Sequence, residues 1–532
     1  MSPVEARPGH WDHPAPRSIL RPGDVITQPS WPADRAVRSL HVVRIGGAGM
    51  SAVGRLALEA GLQVSGSDSQ DGQFIGPLRE AGARIGIGFD AALLAEDVDV
   101  VVVSTAVRPD NPEVLAAHER GIPVIHRAAA LAGLLAGREL VAVAGTHGKT
   151  STTGMAVMAL RGAGQDPAWA LGAAVPDLGR NAGFGATGDY SAPGSASTAG
   201  AASAPGADSA PDGATGPGGG IAVIEADESD GSFLAFSPRS LVVTNLEPDH
   251  LDFHGDEQTL TAAFDALTMQ IVPGGSLIVC ADDPGARALG ERAAARGVPV
   301  TTYGSDPGAD WRVLSERGGA AGAEIEIGTS ADRYTCELSV AGHHNVLNAV
   351  GALAAVSAAV PDADVGALLG GLATFTGASR RFDVAGLAGG VTVVDDYAHH
   401  PREVAATIEA ARGIVETQQR GGRVLVAFQP HLFSRTRDFA ADFAAVLGGA
   451  DRSWVLPVYA AREDPDPGID ARTITAHAPG ASVQPLTASD ELPATVREVA
   501  RPGDLLLMLG AGDVVELTPA VMAALDSPRE ET

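Results

Sequence analysis

One glycine-rich segment of this sequence combines a lysine with hydroxyl side chains in an order that suits phosphate chemistry. The segment consists of Gly145, Thr146, His147, Gly148, Lys149, Thr150 and Ser151. An apolar run over 140–144 precedes it and a predicted helix over 152–161 follows it, which is the strand, turn and helix order of a phosphate-binding loop. In such a loop, backbone N–H groups and the helix N-terminus bind phosphate oxygens, the lysine reaches the transferable phosphate and the hydroxyl binds Mg²⁺. The segment therefore predicts an ATP site, although the common form of the loop would place a glycine where this chain has Val143.

Two groups of acidic residues further along the chain are predicted to follow strands. Residues 225–230 (Glu-Ala-Asp-Glu-Ser-Asp) follow the apolar run 221–224, and residues 245–252, which include His250, follow the run 241–244. Carboxylates at loop mouths are often only solvated, but two groups downstream of a phosphate loop suit Mg²⁺ beside nucleotide phosphates. We therefore favour a magnesium site at these strand ends.

A second glycine-rich turn lies near the start of the chain, between a predicted strand over 40–45 and a helix over 53–59. Gly47, Gly49 and Ala52 match the dinucleotide fingerprint, and Asp68 lies near the distance at which that fold places its ribose-binding acid. Taken alone, the pattern indicates NAD or a nucleotide sugar, and a plain turn without a ligand stays open. Predicted strands over 98–104 and 122–125 end at Ser104 and just before Arg127, which pairs with a phosphate or is a solvated surface charge.

Polar side chains also follow the predicted elements of the C-terminal part. Asn345 and Asn348 share one face of a predicted helix that ends at 359, where they bind a nucleotide or cap the helix. Predicted strands over 391–394, 423–428, 454–457 and 505–509 deliver the loops 395–401, 429–435 and 510–513. The adjacent His399 and His400 raise the question of zinc, which we disfavour because no third ligand has the usual spacing.

Strands alternate with helices through most of the 532 residues, which predicts the α/β class with parallel sheets. A net charge of −28 argues against nucleic acid and anionic membrane surfaces as partners. Two cysteines give no disulfide framework. No apolar segment of 18 residues occurs, so we expect no membrane insertion and a cytoplasmic protein.

Taken together and in order, these motifs resemble the Mur ligase family, which builds peptidoglycan precursors. The resemblance is collinear over about residues 38–515, and the short phosphate loop is the family's own form. The motifs that carry it lie at 46–51, 145–150, 225–230, 245–250, 344–348, 380–383, 395–401 and 429–431.

The resemblance implies three domains and one reaction. A disordered tail over 1–37 would precede a Rossmann-like UDP-substrate domain over 38–136. A central P-loop ATPase-like domain over 137–376 would carry a low-complexity insertion at 185–219, and a C-terminal dinucleotide-fold-like ligase domain would span 377–532. The cofactors would be ATP and Mg²⁺, and L-alanine would be joined to the lactyl carboxylate of UDP-N-acetylmuramate through an acyl phosphate. The enzyme would be a monomer or a homodimer.

Residue roles follow from the same resemblance. Lys149, Glu225 and His250 would be catalytic, and Thr150, Glu225 and His250 would bind the metal. ATP would contact the loop 145–151 together with Asn345, Asn348, Arg381 and Asp396. The UDP substrate and alanine would contact Gly47, Ala48, Gly49, Met50, Ser51, Asp68, Ser104, Arg127, Arg180, Asn181, Tyr397, His399, His431 and Arg435.

Three positions depart from the family pattern: the long insertion after Asn181, Leu432 where many relatives have an arginine, and Ala398 in place of a common glycine. Three alternatives stay open. The chain is a sister ligase that uses another amino acid or a recycled peptide, an NAD-dependent oxidoreductase, or an ATP-gated binding protein.

Overall fold

The structure is a computed structural model that describes residues 31–32, 35–108, 110–185, 220–249, 251–319, 322–418, 421–461, 463–478 and 480–527. His250, most of the predicted tail and nearly all of the predicted insertion lie outside these residues. Trp31 and Val37, within the predicted tail, are buried. Within the described part of the chain, no helix is long and apolar enough to span a membrane.

The described chain forms two compact units. The first contains the described residues up to 315 together with 326–336 and 347–375. The second contains 316–325, 337–346 and the residues from 376 onwards.

The first sheet of the first unit is parallel throughout and has the order β3-β2-β1-β4-β5. Its four-valine strand is buried along its whole length, as expected for a sheet covered on both faces. The elements are β1 (Ser39–Val43), α1 (Ala48–Glu59), β2 (Gln63–Asp68), α2 (Ile75–Glu80), β3 (Arg84–Ile87), β4 (Val100–Val103), α3 (Pro112–Glu119), β5 (Val124–His126) and α4 (Arg127–Leu134).

The central sheet has ten strands in the order β15-β14-β13-β12-β11-β10-β6-β9-β7-β8. Its elements are β6 (Glu139–Ala144), α5 (Lys149–Gly162), β7 (Ala168–Val175), β8 (Arg180–Gly183), β9 (Ile221–Glu225), β10 (Ser240–Val243), α6 (Leu251–His254), α7 (Glu257–Thr268), β11 (Ser276–Cys280), α8 (Pro284–Ala295), β12 (Val300–Gly304), β13 (Trp311–Gly319), β14 (Gly322–Gly328), β15 (Arg333–Leu338), α9 (His343–Ala359) and α10 (Val365–Leu372).

Parallel pairing aligns the functional strands of this sheet. Strand β6 lies between β10 and β9, so the chain segments that leave the carboxyl ends of these three strands emerge side by side. At the edge of the sheet, β8 runs antiparallel to β7, and Gly183 pairs with Trp169, which in turn pairs with Val223 of β9.

The third sheet has the order β16-β17-β21-β18-β19-β20. Its elements are β16 (Asp383–Ala388), β17 (Val391–Asp396), α11 (Pro401–Gln418), β18 (Val424–Phe428), α12 (Phe433–Asp438), α13 (Ala440–Leu447), β19 (Arg452–Val455), α14 (Ala471–Thr475), β20 (Val483–Pro485), α15 (Leu492–Val499), β21 (Leu505–Leu509) and α16 (Thr518–Asp526).

Consecutive residues of a strand point to opposite faces of a sheet, and the central strands of the third sheet are buried on both faces. Val394 and Leu507 pack with Phe443 in one apolar cluster. Their neighbours Val393 and Leu506 pack on the opposite face with Val521 of α16 in a second cluster. The three sheets with helices on their faces confirm the predicted α/β class.

Candidate active site

The predicted phosphate loop joins β6 to α5, and glycine is required at two of its positions. Gly145 has φ +125° and Gly148 has φ +83°, a region that residues with a Cβ rarely adopt. A Cβ on Gly145 would lie 2.2 Å from the hydroxyl oxygen of Thr244. Because Gly148 is the N-cap, the helix begins at Lys149 and not at the predicted residue 152. The N-terminal turn of α5 thus carries the lysine and the hydroxyl residues.

The ammonium group of Lys149 points back into the loop. Its Nζ donates to the carbonyl oxygens of Gly145 at 2.8 Å and Thr146 at 3.1 Å, and to Glu228 Oε1 at 2.9 Å. Burial alone would lower the pKa of Lys149, but the facing carboxylates, Glu228 first among them, raise it above its ordinary value. The lysine is therefore held as a cation. Its partner Glu228 was not among the residues predicted from the sequence.

Two of the three predicted metal ligands lie together. Thr150 Oγ1 donates to Glu225 Oε2 at 2.9 Å, and the same carboxylate oxygen accepts from the Gly172 N–H at 2.8 Å. A hydroxyl and a carboxylate beside a phosphate loop are the hard oxygen donors that Mg²⁺ prefers. These residues fit Mg²⁺, and the third predicted ligand, His250, lies outside the described residues.

The second acidic segment supports the loop through its first residues. Asn245 Oδ1 accepts from the backbone N–H of His147 at 2.7 Å, and the Glu247 N–H donates to Thr146 Oγ1 at 3.0 Å. Thr244 Oγ1 donates to the carbonyl oxygen of His147 at 2.5 Å. These bonds fix the conformation of the phosphate loop from the neighbouring strand end.

The two predicted asparagines differ in position. Asn348 is buried, and its Oδ1 lies 2.5 Å from the point where a Cβ on Gly148 would stand, so it borders the loop. Asn345 belongs to the second unit, and its Nδ2 donates to the carbonyl oxygen of Ala341 at 2.8 Å. Contact of Asn345 with ATP stays a prediction.

The N-terminal glycine turn leads directly into α1, which starts at Ala48 and not at the predicted residue 53. Asp68 ends β2, and its carboxylate accepts from the N–H groups of Gly46 at 2.8 Å and Ser69 at 2.7 Å. Asp68 thereby holds the turn, and its contact with a ribose stays a prediction. Met50 is buried, and Ser51 Oγ donates to the Ala48 carbonyl oxygen at 2.8 Å. Ser104 directly follows β4 at the same end of the sheet.

Arg127 is not the solvated surface charge that was left open from the sequence. Its side chain is 20% exposed, and its Nη2 lies 2.5 Å from Asp227 Oδ2. Its Nη1 is 2.5 Å from the point where a Cβ on Gly49 would stand, so the guanidinium lies directly over the start of α1. Asp230 in the same acidic segment pairs with His126 at 3.3 Å. The segment 225–230 thus contacts both the phosphate loop and the first sheet.

A cavity of about 60 Å³ lies where these parts meet. Gly49 and Arg127 line it from the first sheet, and Gly172, Glu225 and Asp227 line it from the central sheet. The glycine turn and the candidate metal ligand Glu225 therefore face one common space.

Asn181 and Arg180 point to opposite ends of α1. Asn181 Nδ2 donates to the Ala48 carbonyl oxygen at 2.8 Å and to Ser51 Oγ at 2.9 Å, which places it at the glycine turn. Arg180 Nη1 pairs at 2.7 Å with Glu59, the last residue of α1, roughly 16 Å along the helix from the turn. Binding of the substrate by Arg180 stays a prediction that this position does not support.

Within the second unit, the predicted alanine-site residues form a cluster of rings. The ring centroids of Tyr397 and His399 are 5.2 Å apart, those of His399 and His431 are 5.6 Å apart, and Tyr459 stacks on His431 at 5.8 Å. Tyr459 was missed because a lone tyrosine after a strand carries no motif. His400 packs instead on Phe439, so the two adjacent histidines face different partners.

Cationic and strained residues surround this cluster. The guanidinium carbons of Arg380 and Arg381 lie 4.9 Å and 5.0 Å from the ring centroid of Tyr397. Arg380 and Leu432 have φ values of +59° and +70°, a strain that often marks functional loops. Arg435 is buried on α12.

Asp396 is a buried carboxylate at the end of β17. It accepts from the backbone N–H groups of Phe382 and Ala398, both at 2.7 Å. Burial raises the pKa of Asp396 to about 6. Asp396 and Arg381 belong to the second unit, and their contact with ATP stays a prediction.

Comparison with known proteins decides the family. Residues 39–139 match the Mur ligase family catalytic domain, 143–356 the Mur ligase middle domain, and 380–512 the Mur ligase glutamate ligase domain. The UDP-N-acetylmuramate–L-alanine ligase of Mycolicibacterium gilvum is 45% identical over 91% of this chain and 96% of its own length. The ligase of the same name from Paenarthrobacter aurescens is 44% identical over 91% of this chain and 97% of its own. The chain belongs to the Mur ligase family.

Solved structures of other Mur ligases share the fold. The UDP-N-acetylmuramate–alanine ligase of Thermotoga maritima matches with a TM-score of 0.72 and 26% identity, over 91% of this chain and 98% of that one. A murein peptide ligase from Psychrobacter arcticus matches with a TM-score of 0.66 and 23% identity, over 93% and 100% of the two chains, and this likeness concerns the fold alone.

In this Mur ligase, the residues that the structure brings together therefore form two groups. Lys149, Thr150, Glu225 and Asn348 surround the phosphate loop, with Arg127 and Asn181 at the neighbouring glycine turn. Tyr397, His399 and His431 form the second group in the other unit.

Proposed function

We propose that this Mur ligase uses ATP to join L-alanine to the lactyl carboxylate of UDP-N-acetylmuramate. Relatives of that name, 43–45% identical over more than nine tenths of the chain, support this substrate pair. The single observation that carries the chemistry is the adjacency of Lys149, Thr150 and Glu225 at one loop. That group suits phosphoryl transfer and gives no role to a nicotinamide, which argues against the oxidoreductase alternative.

Activation of the carboxylate would take place at the phosphate loop. A carboxylate is a poor electrophile, so its oxygen first attacks the γ-phosphorus of ATP, the bond to the ADP oxygen breaks, and an acyl phosphate forms. Lys149 would neutralise the charge on the phosphoryl group during transfer, and the N–H groups at the start of α5 would bind the phosphates. Thr150 and Glu225 would hold Mg²⁺, which would supply positive charge to the phosphates during transfer.

The UDP diphosphate would bind at the glycine turn before α1. Backbone N–H groups at a helix N-terminus attract phosphate oxygens, and Arg127 supplies a cation directly over Gly49. Asn181 would help to orient the substrate, because its side chain already contacts the first turn of α1. The shared cavity would let the muramoyl carboxylate reach the ATP from this side.

Alanine would bind among the rings of the second unit. Its amine attacks the acyl carbonyl, a tetrahedral intermediate forms, and inorganic phosphate leaves as the amide forms. Tyr397, His399, His431 and Arg435 are the residues we propose for orienting the amino acid, with Arg381 and Asp396 toward the nucleotide. Because both ATP and the UDP-sugar are cytoplasmic compounds, we propose that the enzyme works in the cytoplasm.

An amino-acid panel tests this function. Phosphate release is measured with ATP, Mg²⁺ and UDP-N-acetylmuramate, adding L-alanine, glycine, L-serine or a tripeptide that starts with L-alanine, and each reaction is repeated without UDP-N-acetylmuramate. We expect the highest kcat/KM with L-alanine and no release without the UDP-sugar. A better rate with the tripeptide would identify a recycling ligase. Phosphate release that depends neither on UDP-N-acetylmuramate nor on the added amino acid would contradict ligation altogether.

A further inference from the structure

Glu228 contacts the phosphate-loop lysine and has no role in the reaction described so far. We propose that Glu228 is a positioning residue that holds Lys149 in a retracted position and competes with the γ-phosphate of ATP for its ammonium group. The proposal rests on the proposed function, since it assumes that ATP is the nucleotide that enters the loop.

The retracted position uses all of the hydrogen-bonding capacity of the lysine. An ammonium group has three N–H donors. The Gly145 and Thr146 carbonyl oxygens and Glu228 Oε1 lie 2.8, 3.1 and 2.9 Å from Nζ. Lys149 therefore cannot bond a phosphate oxygen without giving up at least one of these partners.

The backbone of Glu228 is fixed and its side chain is buried. Its side chain is 1% exposed, and its backbone carbonyl oxygen accepts from the Gly231 N–H at 3.1 Å and lies 2.8 Å from His254 Nε2. Because its backbone is anchored at the turn after β9, the carboxylate cannot follow the lysine far toward a ligand.

Charge makes Glu228 the strongest of the three acceptors. A hydrogen bond between two ionised groups is roughly twice as strong as one between neutral groups. Burial raises the pKa of the Glu228 carboxyl to about 8 although the ammonium of Lys149 opposes that rise, so the carboxyl is ionised above this pH. Above that pH, ATP has to replace a charged partner when it engages Lys149, and part of its binding free energy is spent on this exchange.

The exchange predicts a difference between two nucleotides. ATP offers a γ-phosphate to Lys149, whereas ADP lacks it, so weakening the Glu228 bond should favour ATP more than ADP. E228Q keeps the size of the side chain and an oxygen acceptor but removes the charge. We expect it to bind Mg·ATP about 5-fold more tightly, as follows from about 1 kcal/mol between a charged and a neutral bond, and to change ADP affinity less than 2-fold.

Direct nucleotide binding tests the proposal. Affinities for Mg·ATP and Mg·ADP are measured calorimetrically on the full chain at a pH of about 9, where Glu228 is ionised. UDP-N-acetylmuramate is left out, so that no phosphoryl acceptor is present. Glu291→Gln is the matched control, since it removes an exposed carboxylate from the same unit and should change neither affinity. A double-mutant cycle with Lys149→Ala completes the set, because E228Q should have no effect on ATP affinity once the lysine is absent.

Several results would overturn the proposal. Unchanged or weaker ATP binding by folded E228Q, equal tightening for ATP and ADP, or the same E228Q effect with and without Lys149 would each do so. If E228Q does not fold, E228D decides, since its shorter carboxylate should show a smaller preference of the same sign. If the wild-type enzyme does not ligate but E228Q still binds ATP selectively more tightly, the proposed function is refuted and this inference stands. If the wild type ligates L-alanine but E228Q shows no ATP-selective effect, this inference is refuted and the proposed function stands.

Discussion

Replacing Thr150 by valine would test the proposed metal site most directly. Valine has nearly the size of threonine and keeps the branched β-carbon, so the first turn of α5 should pack as before. The change removes the hydroxyl that donates to Glu225 at 2.9 Å, while the bond from the Gly172 N–H at 2.8 Å remains. The variant therefore loses one proposed Mg²⁺ ligand and half of the support for the other.

The expected size follows from the energy of that bond. A hydrogen bond to a charged group contributes about 1.5–3 kcal/mol, and each 1.4 kcal/mol is about tenfold in an equilibrium constant. We expect the Mg²⁺ concentration for half-maximal phosphate release to rise about 10- to 100-fold in T150V. The thermal unfolding midpoint should change by only a few degrees, since the buried apolar surface is conserved.

The assay is a Mg²⁺ titration of phosphate release at saturating substrates, with T150S as the matched control. T150S keeps the hydroxyl and should stay within a fewfold of the wild type. If T150V and T150S show the same Mg²⁺ dependence, Thr150 is not a metal ligand and the geometry has been misread.

Three further outcomes are expected. G145A should abolish ATP binding in a calorimetric titration, because its Cβ would lie 2.2 Å from Thr244 Oγ1 at φ +125°, whereas Gly76→Ala, with open space around its Cβ, should bind normally. The free energy of unfolding should fall as the pH rises from 4 to 6, because a pKa of Asp396 raised to about 6 means that the folded state holds this proton more tightly than the unfolded chain. D396N should remove that part of the pH dependence of thermal unfolding, and equal slopes for D396N and the wild type would contradict the prediction. Replacing residues 186–219 by a linker of about five residues should leave kcat/KM for ATP within twofold, since the strand ends that it joins are about 10 Å apart.

Local patterns were sufficient to predict the phosphate loop and the proximity of its Thr150 hydroxyl to Glu225. The strand, the two glycines and the lysine of the loop lie within a few residues and can be recognised together, and parallel pairing of β6 with β9 then places Glu225 beside the loop. Such local patterns could not predict that Glu228 is the partner of Lys149. Nothing in the sequence distinguishes Glu228 from Asp227 or Asp230, and only the turn after β9 directs Glu228 to Lys149 while the two aspartates face the first sheet.

The boundaries of some elements were predicted wrongly for a related reason. Both functional helices begin several residues earlier than predicted, because the small and hydroxyl residues in their first turns look like loop residues in the sequence. The edge strands β16 and β20 were not predicted at all. They are short or largely exposed, so they lack the apolar run that marks a buried strand.

The connection between β8 and β9 is a suitable place to insert an additional domain into this chain. Its ends, near Gly183 and Ile221, lie about two strand spacings apart at the edge of the central sheet. Strand β9 starts there and delivers Glu225 only about 13 Å further along, at its other end. A fluorescent protein or an affinity domain grafted between residues 185 and 220 would therefore be attached at the amino end of β9, whereas the phosphate loop lies at the carboxyl ends of the strands. Such a fusion could report on the enzyme in living cells while ligation continues.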